Sequence, residues 1–252
     1  MDWKSRLREL FEARIRSGPK REPGTALVTG ANRDRGIGLE LVRQLADLRW
    51  HVFLTSRQKD AGLAAASQLG PQVRFVHLDV TNDNSIRRAY QEVAASTTVL
   101  DLLINNAAVL AEEDRSVFDI STDIIQHTFV TNTIGPLLVT RAFLPLLRAS
   151  KSARVINVSS GAGRLCTMEH YVPAYSISKA ALNAVTRQFA AACQADHIAV
   201  NAIDPGWVQT DMGGSHAPRT IKKGVEGIIW LATEAPSNLS GEFLMDQNRI
   251  RW

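Results

Sequence analysis

From Gly24 onward the chain alternates short, continuous apolar runs with longer stretches of helical periodicity, and few architectures accept that order. The runs at 25–29, 50–55, 73–78, 99–104, 154–158 and 198–203 read as strands buried on both faces, with a short last strand at 242–245. Between them, 37–48, 59–69, 84–96, 122–148, 174–193 and 221–233 read as helices, and Gly135-Pro136 should bend or divide the longest. Strands that are apolar throughout and separated by helices are not hairpins. They predict an α/β fold, a doubly wound parallel sheet covered by helices on both faces through right-handed crossovers. No repeat at solenoid period and no low-complexity segment competes with this reading.

In such a sheet, ligands bind beyond the carboxyl ends of the strands. The first strand is followed by Gly30-Ala31-Asn32-Arg33-Asp34-Arg35-Gly36-Ile37-Gly38, which opens the first helix. Glycines here let the backbone approach a pyrophosphate, while the helix N-terminus presents unpaired N–H groups and positive potential. The second strand ends in Thr55-Ser56-Arg57, without the carboxylate that NAD-preferring sites use to hold a ribose 2′-hydroxyl. Arg57, together with Arg35 or Arg33 of the glycine turn, can instead clamp a 2′-phosphate, so NADP(H) is expected over NAD(H). Singly, each arginine reads as an ordinary solvated side chain. Their shared location carries the argument.

Tyr175 and Lys179 stand four residues apart at the start of the helix 174–193, which places phenol and ammonium on one face. A neighbouring cation favours the phenolate and brings a weak acid within range of proton transfer. By composition alone such a pair arises in about one chain in twelve, so its surroundings must decide.

Those surroundings agree. Thr29-Gly30 with Gly36-Ile37-Gly38, Asp79-Val80, Asn105-Asn106-Ala107, Asn132, Asn157-Val158-Ser159-Ser160, Tyr175 with Lys179, and Asp204-Pro205-Gly206-Trp207-Val208-Gln209-Thr210 occur in one order, each at a strand end or a facing helix. Over residues 24 to about 245 the sequence resembles the short-chain dehydrogenase/reductase family, and its local wording is most similar to the carbonyl-reductase branch. The resemblance implies a Rossmann-type domain that reduces a ketone or aldehyde to an alcohol, or runs the reverse oxidation, with NADP(H). It implies that Asp79 and Val80 hold the adenine and that Asn106 and Ala107 line the cofactor ribose region. It also implies that Pro205 and Gly206 bind the cofactor and that Val208 and Thr210 contact the nicotinamide carboxamide. Ser160 would hydrogen-bond the substrate oxygen, Tyr175 would donate its proton, and Lys179 would lower the Tyr175 pKa and bind the nicotinamide ribose. Asn132 would order a water linked to that lysine.

Three departures from the family pattern bear on the site. Gly30 and Gly36 are separated by five residues where three are usual, so Asp34-Arg35 or Arg33-Asp34 acts as an insertion. Ala108 stands where glycine is common, and the loop from Ser160 to Tyr175 is two residues longer than usual. Leu165, Met168, Tyr171, Trp207 and Met212 would give that pocket an apolar, partly aromatic lining, suited to a carbonyl on a hydrophobic body. The same fold could also serve a non-catalytic NADPH-binding or signalling protein, and the intact Ser160, Tyr175 and Lys179 argue against that alternative.

Residues 1–23 form an extension to the domain 24–252. Trp3, Leu7, Leu10, Phe11 and Ile15 recur at helical spacing before Ser17-Gly18-Pro19, so a short amphipathic helix is expected. Its stripe suits a membrane surface or packing on the body or a second subunit, and Glu9 and Glu12 dilute the basic face in favour of packing. Of the net charge of +4, this segment's seven basic and four acidic residues supply most, leaving no basic patch for nucleic acid on the body. Cys166 and Cys193 make neither a disulfide framework nor a metal site and fit a reducing, cytoplasmic setting. The expected partner is a small carbonyl or alcohol, with homo-oligomerisation compatible with the family.

Overall fold

The computed structural model describes residues 11–252. Its strands are β1 (Phe11–Arg14), β2 (Thr25–Val28), β3 (His51–Ser56), β4 (Val73–His77), β5 (Leu102–Asn105), β6 (Arg154–Val158), β7 (Ala199–Asp204), β8 (Phe243–Met245) and β9 (Asn248–Ile250). Its helices are α1 (Ile37–Asp47), α2 (Lys59–Ser67), α3 (Asp83–Ala94), α4 (Thr122–Phe129), α5 (Gly135–Arg148), α6 (Pro173–Ala192) and α7 (Ile221–Thr233). All nine strands form one sheet in the order β1-β9-β8-β7-β6-β5-β2-β3-β4. From β2 to β8 every neighbouring pair is parallel, as the continuous apolar runs require. The chain winds outward from β2 to β4, then returns to the other side of β2 with β5. A crevice therefore opens between the carboxyl ends of β2 and β5, where the strand order reverses.

Alternation along each strand divides the core in two. Ala26, Val28, Val52 and Leu54 face α1 and α7, meeting Leu41, Leu45, Ile228 and Leu231. Leu27, Phe53, Leu103, Val155 and Val200 face the other way, onto Ile86 and Val93 of α3 and Val139, Phe143 and Leu147 of α5. Each large side chain so buried contributes about 1.5–3 kcal/mol, and the two layers together hold the strand ends in register.

Beneath the crevice runs a buried polar chain. Asn105 Nδ2 donates to Thr140 Oγ1 (3.0 Å) and to Asn157 Oδ1 (2.8 Å), and Asn157 Nδ2 donates to Thr186 Oγ1 (2.8 Å). This links α5, β5, β6 and α6 at one level. Buried side-chain amides fix orientation because an unmade bond there costs about 1–3 kcal/mol.

The stretch Thr122–Arg148 is long and apolar enough to cross a membrane by length and composition alone. More than half of its apolar window is buried inside the fold, so here it serves as a core helix. Gly135-Pro136 does not break it. Instead, Val130–Ile134 forms a π-type turn between α4 and α5.

The helix expected across Phe11 and Ile15 does not form among the described residues, and Trp3, Leu7 and Leu10 lie outside them. Phe11–Arg14 is the edge strand β1, antiparallel to β9. The open edge of β9 offers unpaired backbone groups, and a β-ladder satisfies them where a helix would not. Ile15 is buried and its N–H reaches Gln247 O at 2.8 Å. Gly18 N–H donates to Glu234 O at 2.6 Å, Trp230 Nε1 donates to Ser17 Oγ at 2.9 Å, and the Arg21 guanidinium donates to Ser152 O at 2.7 Å. Residues 15–21 are thus fastened to α7 and the loop before β6.

Candidate active site

One cleft of about 650 Å³ opens at the strand-order reversal. Its cofactor-side wall holds Gly30, Asn32, Arg33, Arg35, Gly36, Ile37, Gly38, Arg57, Asp79, Val80, Asn106 and Ala107. Opposite stand Ser160, Tyr175, Lys179, Pro205, Gly206, Val208 and Thr210. Of the catalytic and cofactor-binding residues read from the sequence, all but Asn132 line this cleft.

The glycine turn fits a dinucleotide phosphate on observed geometry. Gly30 has φ +65, a left-handed backbone, and a Cβ there would lie 2.8 Å from Ala107 Cα. At Gly38 a Cβ would lie 2.6 Å from both Gly30 O and Asn106 Nδ2, so the helix can start this close to the turn only without a side chain. Gly36 caps α1 with no side-chain acceptor, which leaves the first N–H groups of the helix to the cleft. Asn106 Nδ2 donates to Thr29 O and Gly30 O at 2.9 and 3.0 Å, while Thr29 Oγ1 accepts from the N–H groups of Asn106 and Ala107 at 3.0 Å each. Thr29 is a site residue whose role the sequence did not reveal. Both arginines of the enlarged turn, Arg33 and Arg35, are exposed at the cleft, as is Arg57. The inserted turn also crosses the cleft, since Asp211 N–H donates to Arg35 O at 3.3 Å.

At the adenosine end, Asp79 Oδ1 accepts from Thr81 N at 2.9 Å and Thr81 Oγ1 at 2.7 Å. Partial burial works against ionisation of Asp79, but the Thr81 hydrogen bonds and the charges of Arg57 and His77 outweigh it and lower the pKa. A carboxylate and the Arg57 cation therefore face one another where the adenosine would lie.

Tyr175 and Lys179 occupy the first turns of α6, with Lys179 Nζ 5.5 Å from the phenol ring centroid. Lys179 Nζ donates to Val158 O at 2.8 Å, which anchors it to the end of β6. Tyr175 is partly buried and lines the cleft. Burial pushes the phenol up to about 12; Ser160 pulls it down by a hydrogen bond, and the negative charge of Asp204 pushes it further up. Burial drives Lys179 down to about 7, opposed by Asp204. The expected lowering of the Tyr175 pKa by Lys179 is thus not the balance found in this structure. Desolvation is the largest influence on both groups, and Asp204 is the charge that acts on each.

Asn132 sits in the π-type turn, fully buried. Its Oδ1 accepts from Val109 N–H at 2.8 Å, and its Nδ2 donates to Val109 O at 2.9 Å and Ser178 Oγ at 3.0 Å. Both amide protons are used, so the side chain grips the loop after β5 and has no N–H left for a water.

Between Ser160 and Tyr175, two short 3₁₀ turns, Gly161–Gly163 and Leu165–Thr167, shape the enlarged loop. Arg164 Nε donates to Arg251 O at 3.2 Å and Cys166 N–H to Trp252 O at 3.3 Å, so residues 251 and 252 brace it. Tyr171, Trp207 and Met212 line the cleft, as read from the sequence. Leu165 and Met168 do not: the 3₁₀ turn carries Leu165 outward, to 71% exposure.

The sequence pattern of short chain dehydrogenases matches residues 24–220. The chain belongs to the short-chain dehydrogenase family. Carbonyl reductase [NADPH] 1 of Sus scrofa is 31% identical over an alignment covering 90% of this chain and 93% of that one. Among solved structures, an NADPH-bound carbonyl reductase from chicken fatty liver superposes with TM-score 0.82 at 33% identity, covering 92% of this chain and all of the other. A Burkholderia multivorans short-chain dehydrogenase/reductase with bound NADP gives 0.80 at 28% identity, over 93% of this chain and all of the other.

In this short-chain dehydrogenase, two buried carboxylates were not legible as site residues. Asp204, at the end of β7, lines the cleft, is 8% exposed and accepts from Gly206 N–H at 2.8 Å. Burial raises its pKa against the lowering effects of the Gly206 amide, the Arg219 and Arg164 charges and the Gly161 amide. Its sequence signal was its place directly before Pro205-Gly206. Asp114 belongs to the loop after β5, and nothing around it in the sequence distinguishes it from Glu112 and Glu113.

Proposed function

We propose that this protein is an NADPH-dependent oxidoreductase that reduces a ketone or aldehyde to an alcohol. The observation that carries the reading is the convergence of Ser160, Tyr175 and Lys179 on one wall of a cleft whose opposite wall is a glycine cradle edged by three arginines. Gly30, Gly36 and Gly38 would hold the pyrophosphate against α1, Arg57 with Arg33 or Arg35 the 2′-phosphate, and Asp79 with Val80 the adenine. Asn106 and Ala107 would lie along the ribose, with Pro205, Gly206, Val208 and Thr210 at the nicotinamide. When bound, NADPH supplies the hydride that carbonyl reduction requires.

The chain's own part is to bind the carbonyl and deliver a proton. Ser160 Oγ donates a hydrogen bond to the carbonyl oxygen and holds it beside Tyr175. Tyr175 gives its phenolic proton to that oxygen as negative charge develops there. A phenol whose pKa burial has raised is protonated at neutral pH and so carries the proton that the reduction needs. Lys179, held by Val158 O, stabilises the phenolate left behind and reaches the cofactor ribose. Asn132 contributes by holding Val109, which lines the cleft. Tyr171, Trp207 and Met212 at the mouth suit a carbonyl carried on an apolar body.

The two described cysteines are free thiols, one of them buried, consistent with a cytoplasmic setting. Ile125 of α4, Val130 of the π turn and Ile177 of α6 are exposed, an apolar face that a second copy would cover, and sedimentation velocity reads that directly. The functional reading is tested by NADPH oxidation with a panel of aromatic and aliphatic carbonyls. Turnover that Tyr175→Phe abolishes supports it; tight NADPH binding without turnover of any carbonyl would assign the non-catalytic alternative.

A further inference from the structure

Helix α6 begins in an unusual way. Its N-cap, Val172, has φ 44 and ψ 57, a left-handed backbone, and no polar atom with which to cap. A β-branched residue there is strained, because the left-handed region crowds Cβ against the backbone. An N-cap residue ordinarily accepts from the N–H groups two and three positions into the helix. Here those belong to Ala174 and Tyr175, and a remote side chain takes them: Asp114 Oδ1 accepts from Ala174 N–H at 3.0 Å and Oδ2 from Tyr175 N–H at 2.8 Å. Asp114 is 1% exposed and, among the described residues, pairs with no lysine or arginine. Two charge-assisted hydrogen bonds and the positive end of a twenty-residue helix compensate the buried charge.

We infer that Asp114 is a positioning residue for the reaction, a cap supplied in trans that fastens the substrate-side loop 106–114 to the helix carrying Tyr175. The loop has a second grip, since Asn132 holds both the N–H and the carbonyl of Val109. Between the two grips lie Val109 and Leu110, which line the cleft. The loop starts at Asn106 and Ala107, on the cofactor wall. The cofactor wall, the substrate wall and the backbone of the proton donor therefore move as one body. Pro173, with its fixed φ and no N–H to satisfy, starts the helix directly after the strained residue. The strain at Val172 persists because the clamp on one side and the helix on the other determine it.

The inference rests on Tyr175 being the proton donor, and its test separates the two. In the full-length chain, Asp114→Asn and Asp114→Ala are compared with wild type for kcat, KM, NADPH dissociation constant and backbone amide exchange. Displacing the donor by a fraction of an ångström to one ångström lowers kcat by about 10- to 100-fold for Asp114→Ala, with NADPH affinity within about threefold of wild type. Asp114→Asn, which keeps the shape and one acceptor oxygen, falls between the two. Amide exchange rises together in 106–114 and 174–176 in both variants. An Asp114→Asn enzyme with wild-type kcat, or exchange that rises at 174–176 while the loop stays protected, overturns the inference: Asp114 is then an ordinary cap. If Tyr175→Phe retains full activity, the catalytic reading fails on its own, while the coupled exchange still reports whether the clamp exists.

Discussion

Two ionisable groups share the dry end of the cleft, and burial opposes the charging of each. That makes Tyr175 a retained acid and brings Lys179 to about 7, inside the physiological range. Asp204 acts on both in the same sense, raising the phenol and the ammonium alike. Removing its charge with Asp204→Asn lowers both pKa values, so the alkaline limb of kcat/KM for NADPH, which reports the free enzyme, should move to lower pH. A limb that stays in place, or moves up, contradicts the assignment. At the other end of the cleft, Arg57→Ala should weaken NADPH by about tenfold while leaving NADH nearly unchanged, since one charge-assisted hydrogen bond is worth about 1.5 kcal/mol. Equal effects on the two cofactors would remove Arg57 from the 2′-phosphate site. Both residues illustrate what a sequence offers at this scale. Arg57 announces itself by standing where a carboxylate is expected, whereas Asp204 looks like part of a turn until the fold buries it against the Gly206 and Gly161 amides.

At the scale of elements, the parallel strands and their helices were legible because burial on both faces leaves continuous apolar runs that no hairpin shows. The edge was not. Phe11 and Ile15 fit a helical stripe, and Asn248–Ile250 is short and polar, so neither segment declares a strand until β8 offers its edge to β9 and β9 offers its own to β1. Asn132 was read from the sequence as a residue ordering a water, and its grip on Val109 was not, because the π-type turn that aims its amide there has no sequence signature. Gly38 makes the element-level prediction. Adding a methyl group in Gly38→Ala drives Cβ against Gly30 O and Asn106 Nδ2, at a cost of about 1–3 kcal/mol. NADPH affinity should fall together with Tm; a variant that binds NADPH normally would mean that the turn is not the phosphate cradle.

Over the whole molecule, one sheet carries the site by its topology. The reversal of strand order between β2 and β5 sets the glycine turn beside Asn106 and Ala107, and β6 and β7 deliver Ser160 and Asp204 to the same edge. The cost of burying Lys179 should appear in global stability. Its folded pKa of about 7 lies below the ordinary lysine value of 10.5, so between those pH values the unfolded chain binds the extra proton. Stability of the cofactor-free protein therefore rises with pH across that window, and Lys179→Met should flatten the rise in urea titrations. An unchanged slope would show that Lys179 is not desolvated.

The central claim is that Tyr175 is the proton donor in an NADPH cleft. Single-turnover oxidation of bound NADPH by a hydrophobic aldehyde, in wild type and Tyr175→Phe, with the NADPH dissociation constant measured for both, tests it most directly. The predicted result is a rate loss of about 10²- to 10⁴-fold with NADPH binding nearly unchanged. A Tyr175→Phe enzyme that oxidises NADPH at the wild-type rate would contradict it.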